Sequence, residues 1–317
     1  MYRDKILVTG ASGFVGRALV HECIGRKLNV RAASRNCTFL TELVECLEVG
    51  EINSTVDWLR ALEDCDTVVH LAARAHVLND NSKTPALDYH KVNVEGTLNL
   101  AMQAASRGVR RFVYLSSIKV NGESTKEMSC FKHDDVPAPE DFYGLSKAEA
   151  EAGLRLLAAK TGMEVTIIRP PMIYGPGVKG NFHSLLVWMK SGLPLPLGSV
   201  TNNLRSFVGL TNLIDLILVC VVHPRASNQT FLVSDGEDLS TTELLKRTSK
   251  AMGRQVWLLK VNVGVLEFLA KLLGKSVVSQ RLLGSLQVDM SRTCQLLDWK
   301  PLISVDEELC RTIQEMM

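Results

Sequence analysis

Apolar residues recur with two different spacings along the first half of the chain. Short runs rich in Val, Ile and Leu predict strands, and these runs lie at 5–9, 29–33, 67–71, 111–117 and 164–170. Between them, helically spaced apolar positions predict helices at 14–26, 88–107 and 143–161. Strands and helices in alternation imply right-handed crossover connections, so we predict an α/β fold with a doubly wound parallel sheet.

The pattern changes after residue 170. Gly- and Pro-rich stretches predict loops at 175–181 and 192–198. Beyond them we predict one strand at 229–234 and helices near 212–222, 241–252, 262–273 and 304–315. We therefore divide the chain into a first domain over 1–175 and a smaller C-terminal lobe over 176–317. That division leaves open that the chain crosses back to the first domain.

Composition narrows the class of protein. The 317 residues carry a net charge of +2 and no basic block, which argues against a nucleic-acid partner. The longest apolar run, 213–222, contains Asp215 and is far shorter than the ~20 residues of a membrane span. The first residues lack the pattern of a signal peptide. The eight cysteines form no CxxC pair, so we expect reduced thiols, no metal site and a cytoplasmic location.

A glycine-rich stretch follows the first predicted strand. The sequence TGASGFVG places Gly10, Gly13 and Gly16 at the turn and at the start of the next helix. The backbone there must turn tightly, approach a pyrophosphate and pack the helix on the sheet, and each task excludes a Cβ. The free N–H groups of the helix start then bind phosphates. The stretch therefore predicts that 1–175 is a Rossmann-type dinucleotide-binding domain.

A second group of residues carries acid–base chemistry. Tyr143 and Lys147 share one helix face at i and i+4, and Ser117 ends a predicted strand. A tyrosine has a reference pKa of ~10, and a nearby cation lowers it. Together the three side chains predict a catalytic site that moves a proton on or off a hydroxyl while a hydride moves at its carbon.

The end of the second predicted strand bears on the choice of cofactor. The sequence NVRAASRN ends this strand in Ser34 and Arg35, where NAD enzymes commonly have a carboxylate that binds the ribose diol. A guanidinium at this place can pair with a 2′-phosphate. Arg35 therefore favours NADP(H), and NAD(H) beside a surface arginine remains the alternative.

Taken in order, several motifs resemble the extended short-chain dehydrogenase/reductase superfamily. Within it the chain is similar to the NAD-dependent nucleotide-sugar epimerase/dehydratase family, with UDP-glucose 4-epimerases and bacterial UDP-4-keto-sugar 4-reductases nearest. Besides the glycine loop, the motifs are His70-Leu-Ala-Ala73, Asn93-Val-Glu-Gly-Thr97, Ser116-Ser117, the Tyr143/Lys147 pair and RPPMIYGPG at 169–177.

The resemblance assigns roles to further residues. It implies that Tyr143 and Lys147 also contact the cofactor, together with Gly10, Ser12, Gly13, Phe14, Val15, Gly16, Ser34, Arg35, Glu51, Ile52, Leu71, Ala72, Ala73, Arg74, Asn93, Ser116, Pro170 and Met172. It places Asn121, Asn181, Arg205 and Arg281 at the substrate. Two guanidiniums suit a diphosphate, because they donate forked hydrogen bonds to it. The substrate implied is a UDP-sugar bound mainly by 176–317, and a homodimer is expected.

Some positions depart from the family pattern. Dehydratases that remove water across C4–C6 carry Asp-Glu where this chain has Ile118-Lys119, so that reaction is not expected. Enzymes that epimerise C3 and C5 have a cysteine at the position of Ile118. Asn121 replaces a common tyrosine, and Arg74 stands where 4-epimerases usually have lysine. These last two differences change the walls of the site and leave its chemistry intact.

We therefore expect hydride transfer at C4 of a UDP-hexose or UDP-N-acetylhexosamine. Because Arg35 favours a cofactor that is consumed and exchanged, the preferred interpretation is a UDP-4-keto-sugar reductase in surface-polysaccharide precursor synthesis. The alternative on the same scaffold is a UDP-glucose or UDP-GlcNAc 4-epimerase. A steroid or small-alcohol dehydrogenase is disfavoured, because its substrate has no diphosphate for Arg205 and Arg281 to bind. A non-catalytic dinucleotide sensor is disfavoured, because it would not need the Tyr143/Lys147 pair.

Overall fold

Parallel strands form the main sheet of the computed structural model, which describes residues 4–38, 44–75, 84–274 and 276–316. Residues 1–3, part of the stretch expected to lack a signal peptide, lie outside the described residues. The strands of this sheet are β1 (Lys5–Thr9), β2 (Val30–Ser34), β3 (Glu45–Glu48), β4 (Cys65–His70), β5 (Arg111–Leu115), β6 (Glu164–Arg169) and β9 (Thr230–Leu232). Their order is β3-β2-β1-β4-β5-β6-β9 and every pairing is parallel. The predicted doubly wound α/β sheet is confirmed.

A smaller sheet combines one strand that precedes residue 176 with two strands that follow it. Its strands are β7 (Met172–Tyr174), β8 (Arg205–Gly209) and β10 (Asp238–Leu239). The order is β10-β8-β7, with β8 antiparallel to β10 and parallel to β7. The later strand β9 pairs with β6, so the chain returns to the main sheet after residue 176.

Helices cover both faces of the main sheet and make up most of the second half. They are α1 (Phe14–Gly25), α2 (Pro85–Tyr89), α3 (Gly96–Ser106), α4 (Phe142–Thr161), α5 (Gly180–Lys190), α6 (Leu210–Val222), α7 (Thr241–Ala251), α8 (Val263–Leu272), α9 (Ser276–Leu283), α10 (Ser291–Leu297) and α11 (Val305–Met316). The predicted helix at 88–107 is divided, because a π-helical stretch, His90–Glu95, separates α2 from α3. None of the helices in the described part of the chain combines the length and apolar character that crossing a membrane requires.

Alternate residues of β1 supply the two main apolar clusters. Ile6 and Val8 face the cluster that includes Leu19 of α1 and Leu213 of α6, whereas Leu7 faces the cluster of α3 and α4. A strand with both faces buried in this way belongs to a central parallel sheet. Since α6 comes from the second half and packs on α1, the core of the first domain is completed by later residues.

The expectation of eight reduced thiols is wrong at two positions. Cys37 and Cys46 form a disulfide, with their Cα atoms 5.8 Å apart. Cys46 lies on β3, which the sequence pattern did not predict, and β3 pairs with β2 just before the loop that carries Cys37. Cys23, Cys65 and Cys220 are buried free thiols and fill the core.

Candidate active site

The turn between β1 and α1 and the helix start after it have no room for a side chain at Gly10 or Gly16. Gly10 has a φ of +67°, and a Cβ there would lie 2.7 Å from the backbone nitrogen of Ala72. A Cβ on Gly16 would lie 2.2 Å from the Gly10 carbonyl oxygen. The helix begins at Phe14 after Gly13, which provides no side-chain cap, and its first turn contains no acidic residue. The first N–H groups and the positive dipole end therefore remain for an anion, which fits a dinucleotide pyrophosphate.

Two charges of opposite sign lie near the end of β2. The Ser34 side chain is buried and its hydroxyl donates to the Ser12 oxygen at 2.7 Å, which joins β2 to the glycine turn. Arg35 follows and is exposed. Glu48, at the end of β3, is in register with Ser34 and accepts a hydrogen bond from the Cys37 N–H at 3.2 Å. Sequence analysis missed Glu48, because it did not predict β3.

The loop after β4 closes one side of the predicted cofactor site. The Leu71 N–H donates to the Thr9 carbonyl at 3.3 Å, which places Ala72 and Ala73 next to the glycine turn. Ile52 packs against α3 so closely that a Cβ on Gly96 would lie 2.4 Å from its Cγ2. Glu51 beside it is exposed.

Asn93 connects this loop with α4. Its side chain is buried and accepts from the Arg74 N–H at 2.8 Å while donating to the Arg74 carbonyl at 3.1 Å. Its amide also donates to the Ser146 hydroxyl at 2.9 Å, and that hydroxyl donates to the Tyr143 carbonyl at 2.8 Å. The Asn93 amide is therefore engaged with the protein, and a cofactor contact by this side chain stays a prediction.

Ser117, Tyr143 and Lys147 are brought together from β5 and α4. Ser117 follows β5 and caps the short turn Ile118–Val120, and its hydroxyl lies close enough to Tyr143 to lower the pKa of the phenol. The Lys147 Nζ donates to the Leu115 carbonyl at 2.8 Å and lies 5.9 Å from the centre of the Tyr143 ring. The three side chains predicted for acid–base catalysis thus share one site at the carboxyl edge of the sheet.

The pKa of Tyr143 is not lowered as expected, and Lys147 is not among the causes of its shift. Burial raises the pKa of Tyr143, the Asp141 charge raises it further, and only the hydrogen bond from Ser117 opposes the rise. Burial lowers the pKa of Lys147 to about 7, with the nearby Glu151 charge opposing. Desolvation is the largest cause of both shifts; Lys147 is buried and Tyr143 is half-buried.

A neutral imidazole lies beneath Lys147. The His70 Nδ1 is hydrogen-bonded to the Thr9 hydroxyl at 2.6 Å and its Nε2 to the Thr97 hydroxyl at 3.0 Å. Burial, with a contribution from the Lys147 charge, lowers the His70 pKa to about 3. The ring stacks on Tyr114, whose own ring centre lies 4.4 Å from the Lys147 Nζ. The stacked rings of His70 and Tyr114 hold Lys147 in one position.

A buried ion pair supports the serine turn. Glu151 accepts from the Ser116 hydroxyl at 2.6 Å and from two nitrogens of Arg169 at 2.9 and 2.6 Å. The third Arg169 nitrogen donates to the Asn121 amide oxygen at 2.9 Å, and the Asn121 nitrogen donates to the Lys132 carbonyl at 2.9 Å. Both ends of the Asn121 amide are engaged behind the turn, so a substrate contact by Asn121 stays a prediction.

The two predicted phosphate-binding arginines share a neighbouring carboxylate, Glu123. The Arg281 Nε lies 3.7 Å from a Glu123 oxygen, and the Glu123 charge also acts on Arg205. Burial lowers the pKa of Arg205 to about 10, and its Nη1 donates to the Gly284 carbonyl at 3.0 Å. A half-buried guanidinium gains from an anionic ligand, which agrees with a diphosphate at this place. Asn181 is exposed in the first turn of α5.

Lys119 connects this cluster with the catalytic helix. Its ammonium binds the carboxylates of Glu123 and Asp141. Asp141 in turn caps α4 by accepting from the Gly144 N–H at 2.7 Å. Lys119 stands at the position where dehydratases have a glutamate. Through Asp141 it holds the start of α4, the helix that carries Tyr143. No feature of the sequence indicated that Glu123 and Asp141 bind Lys119 in this way.

The remaining predicted cofactor residues follow β6. Pro170 is buried and its carbonyl accepts from the Ile118 N–H at 3.0 Å, while Met172 is partly exposed. Within the described residues, no three His, Cys, Asp or Glu side chains are grouped as a metal site would require.

Comparisons with known proteins agree with this arrangement. The model of the NAD dependent epimerase/dehydratase family matches residues 6–234. The chain is 47% identical to a UDP-glucose 4-epimerase of Vibrio cholerae over 314 residues, which cover 99% of this chain and 95% of that protein. It is 29% identical to an N-acetyl-alpha-D-glucosaminyl-diphospho-ditrans,octacis-undecaprenol 4-epimerase of Escherichia coli O157:H7, over 80% of this chain and 74% of the relative.

A solved structure shares the fold. The UDP-glucuronic acid 4-epimerase from Bacillus cereus, in complex with NAD, matches with a TM-score of 0.80 and 19% sequence identity, and the match covers 98% of each chain. At this identity the likeness concerns the fold alone. From the family match over most of its length, the chain belongs to the NAD-dependent epimerase/dehydratase family.

Proposed function

We propose that the protein is a UDP-sugar 4-epimerase that oxidises and re-reduces C4 of its substrate. The observation that carries the proposal is 47% identity to a UDP-glucose 4-epimerase over 99% of this chain, joined to the assembled Ser117, Tyr143 and Lys147. On sequence alone, Arg35 favours net reduction of a UDP-4-keto sugar. The comparisons support the alternative, epimerisation, better than that reaction.

The three side chains divide the proton chemistry at C4. Ser117 hydrogen-bonds the C4 oxygen, and the Tyr143 phenol exchanges a proton with that oxygen. A nicotinamide dinucleotide, when bound, accepts a hydride from C4 and returns it. Oxidation of C4 requires the Tyr143 oxygen to accept the C4 hydroxyl proton, and re-reduction requires the phenol to return it; the raised pKa of Tyr143 favours the second of these transfers. Lys147, fixed above Tyr114, donates to the ribose hydroxyls of the cofactor.

Arg205 and Arg281 bind the diphosphate of the UDP-sugar in this proposal. A diphosphate also joins the sugar to the lipid in the substrate that names the E. coli relative. Dehydration is not part of the proposal, since Ile118 and Lys119 replace the acid pair and Lys119 is held by Glu123 and Asp141.

Net reduction with NADPH remains the second candidate, and Arg35 favours it. An exposed guanidinium after β2 suits a 2′-phosphate, although the Glu48 carboxylate nearby suits a free diol. Replacing Arg35 by Asp should weaken NADP(H) binding by about 1.5–3 kcal/mol, the contribution of a charge-assisted hydrogen bond, and affect NAD(H) less. Titration of both cofactors tests this, and equal losses would show that Arg35 does not contact the 2′-phosphate.

Two assays on one preparation decide between the candidates. UDP-glucose or UDP-GlcNAc is incubated with the protein without added reductant, and separately a UDP-4-keto-6-deoxy sugar is supplied with NADPH. Equilibration of the two C4 epimers without net cofactor consumption supports the epimerase. Stoichiometric NADPH oxidation with no epimer formation would replace it by the reductase.

We also propose that the protein is a homodimer; a cytoplasmic location stays a prediction, because the Cys37–Cys46 disulfide removes part of the cysteine argument for it. Leu87, Met102, Leu145 and Leu156 are exposed on α2, α3 and α4, which pack together and so present one partly apolar surface. Light scattering of the purified protein tests the dimer, and Leu156→Glu should shift it toward monomer.

A further inference from the structure

Helix α8 carries apolar side chains on a side that the described fold does not cover. Val265, Phe268, Leu269 and Leu272 follow the i, i+3, i+4, i+7 spacing of one helix face and are 45–73% exposed. No residue of α8 is buried. Helices on a protein surface usually present polar residues to solvent, so this face indicates an interaction.

The opposite side of α8 already supplies the contacts of the fold. Val263 and Leu266 pack on a small cluster with Leu195 and Leu197. Leu258 packs on the same cluster, whereas its neighbours Trp257 and Leu259 are exposed. We call Trp257, Leu259, Val265, Phe268, Leu269 and Leu272 the α8 face. These side chains are exposed, and none of them belongs to the apolar clusters of the described fold.

Charge distinguishes this part of the chain from the rest. Residues 244–288 contain eight Lys and Arg residues and one acidic residue, Glu267, for a formal charge of +7. Of the cations, Arg247 is paired with Glu237 and Glu243, and Arg281 lies 3.7 Å from Glu123. The whole chain carries only +2, so the remainder is net negative. Lys260 and Lys271 are exposed beside the α8 face. Apolar side chains flanked by lysines, with an exposed Trp, are typical of helices that lie on anionic lipid surfaces.

The same charge argues against a second copy of this chain. A two-fold contact through the α8 face would bring two segments of charge +7 together. We infer that the α8 face docks the enzyme on a membrane surface that contains anionic phospholipids. Helix α9, which carries Arg281, packs on α8, so the docked enzyme holds its proposed diphosphate site beside the lipid headgroups.

Vesicle co-sedimentation tests this inference without using catalysis. The full chain is mixed with vesicles of phosphatidylcholine, or of phosphatidylcholine and phosphatidylglycerol in equal amounts. We expect binding to the anionic vesicles that weakens with added salt. The double variant Phe268→Ser and Leu272→Ser should lower the partition coefficient at least about tenfold, because fewer apolar groups enter the interface. Lys260→Glu with Lys271→Glu should also lower it.

Val222→Ser is the matched control, since Val222 is 73% exposed on α6 and lies outside the α8 face. It should bind vesicles as the unchanged protein does. Equal binding by the Phe268/Leu272 variant, or no binding of the unchanged protein to anionic vesicles, would overturn the inference. A change of molecular mass in the variant, with vesicle binding unaltered, would assign the α8 face to protein association instead. Since vesicle binding needs no turnover, its outcome is independent of the proposed epimerase activity.

Discussion

The α4 side of the active site and the α8 face use polar and apolar groups in opposite ways. Around α4, the charged side chains of Lys147 and Glu151 are 2% and 0% exposed, and each is held by hydrogen bonds. On α8, large apolar side chains are exposed and none is buried. Buried polar groups are costly unless paired, and their pairing fixes one geometry. Exposed apolar groups contribute little to the stability of the fold. Their exposure on α8 therefore indicates a surface that contacts a partner.

The largest expected effect is on turnover at the α4 side. Tyr143→Phe removes the phenol oxygen that exchanges a proton with C4 and leaves the ring in place. Loss of general acid–base help lowers turnover by about 100- to 10,000-fold. Epimerisation rates and a cofactor titration should show the loss of rate with cofactor affinity retained. Turnover close to that of the unchanged protein would remove Tyr143 from the mechanism.

The next effect is on the buried ion pair. Glu151→Ala leaves the Arg169 guanidinium, 2% exposed, without its carboxylate, and should lower the free energy of unfolding by about 3–5 kcal/mol. Arg155→Ala is the matched control, because it removes the exposed partner of the same carboxylate and should cost less than about 1 kcal/mol. Urea unfolding measures both. Similar losses for the two variants would contradict the comparison between buried and exposed charges.

A smaller effect depends on pH. His70 has a folded pKa of about 3 against 6.5 in the unfolded chain, so the unfolded state binds the extra proton as pH falls below 6.5. Stability is therefore lost with falling pH, by about 2 kcal/mol between about pH 7.5 and about pH 5. In His70→Gln this part of the pH dependence should vanish. An unchanged slope in the variant would show that His70 is not buried in its neutral form.

The smallest effect is expected on the free energy of unfolding when a residue of the α8 face is replaced. Phe268→Ser removes an exposed ring, and surface changes of this kind alter the free energy of unfolding by about 0.5 kcal/mol or less. Urea unfolding of this variant beside Glu151→Ala sets the two regions on one scale. A loss of several kcal/mol on α8 would mean that Phe268 is packed in the folded protein.

The parts predicted from sequence are those that local spacing specifies. The glycines of the β1–α1 turn and the Tyr143/Lys147 pair lie close together along the chain, so their shared geometry follows from strand and helix periods. Ser117 could be placed because parallel strands end at the same edge of the sheet.

The parts that were missed depend on contacts between distant segments. β3 begins and ends in Glu, so its sequence lacks the alternation typical of strands, and the Cys37–Cys46 disulfide and the position of Glu48 were missed with it. The strand at β9 was predicted, but its pairing with β6 is set by folding of the second half. The pKa of Tyr143 depends on burial, which residue spacing does not give.

Transfer of an isotope label tests the central claim most directly. UDP-glucose deuterated at C4 is incubated with the protein and an excess of free, unlabelled NAD. The account predicts UDP-galactose that retains deuterium at C4, with no label in the free cofactor, because one bound cofactor accepts and returns the hydride. No C4 epimer, together with label transferred to the free cofactor, would contradict the account and assign the site to net oxidation or reduction.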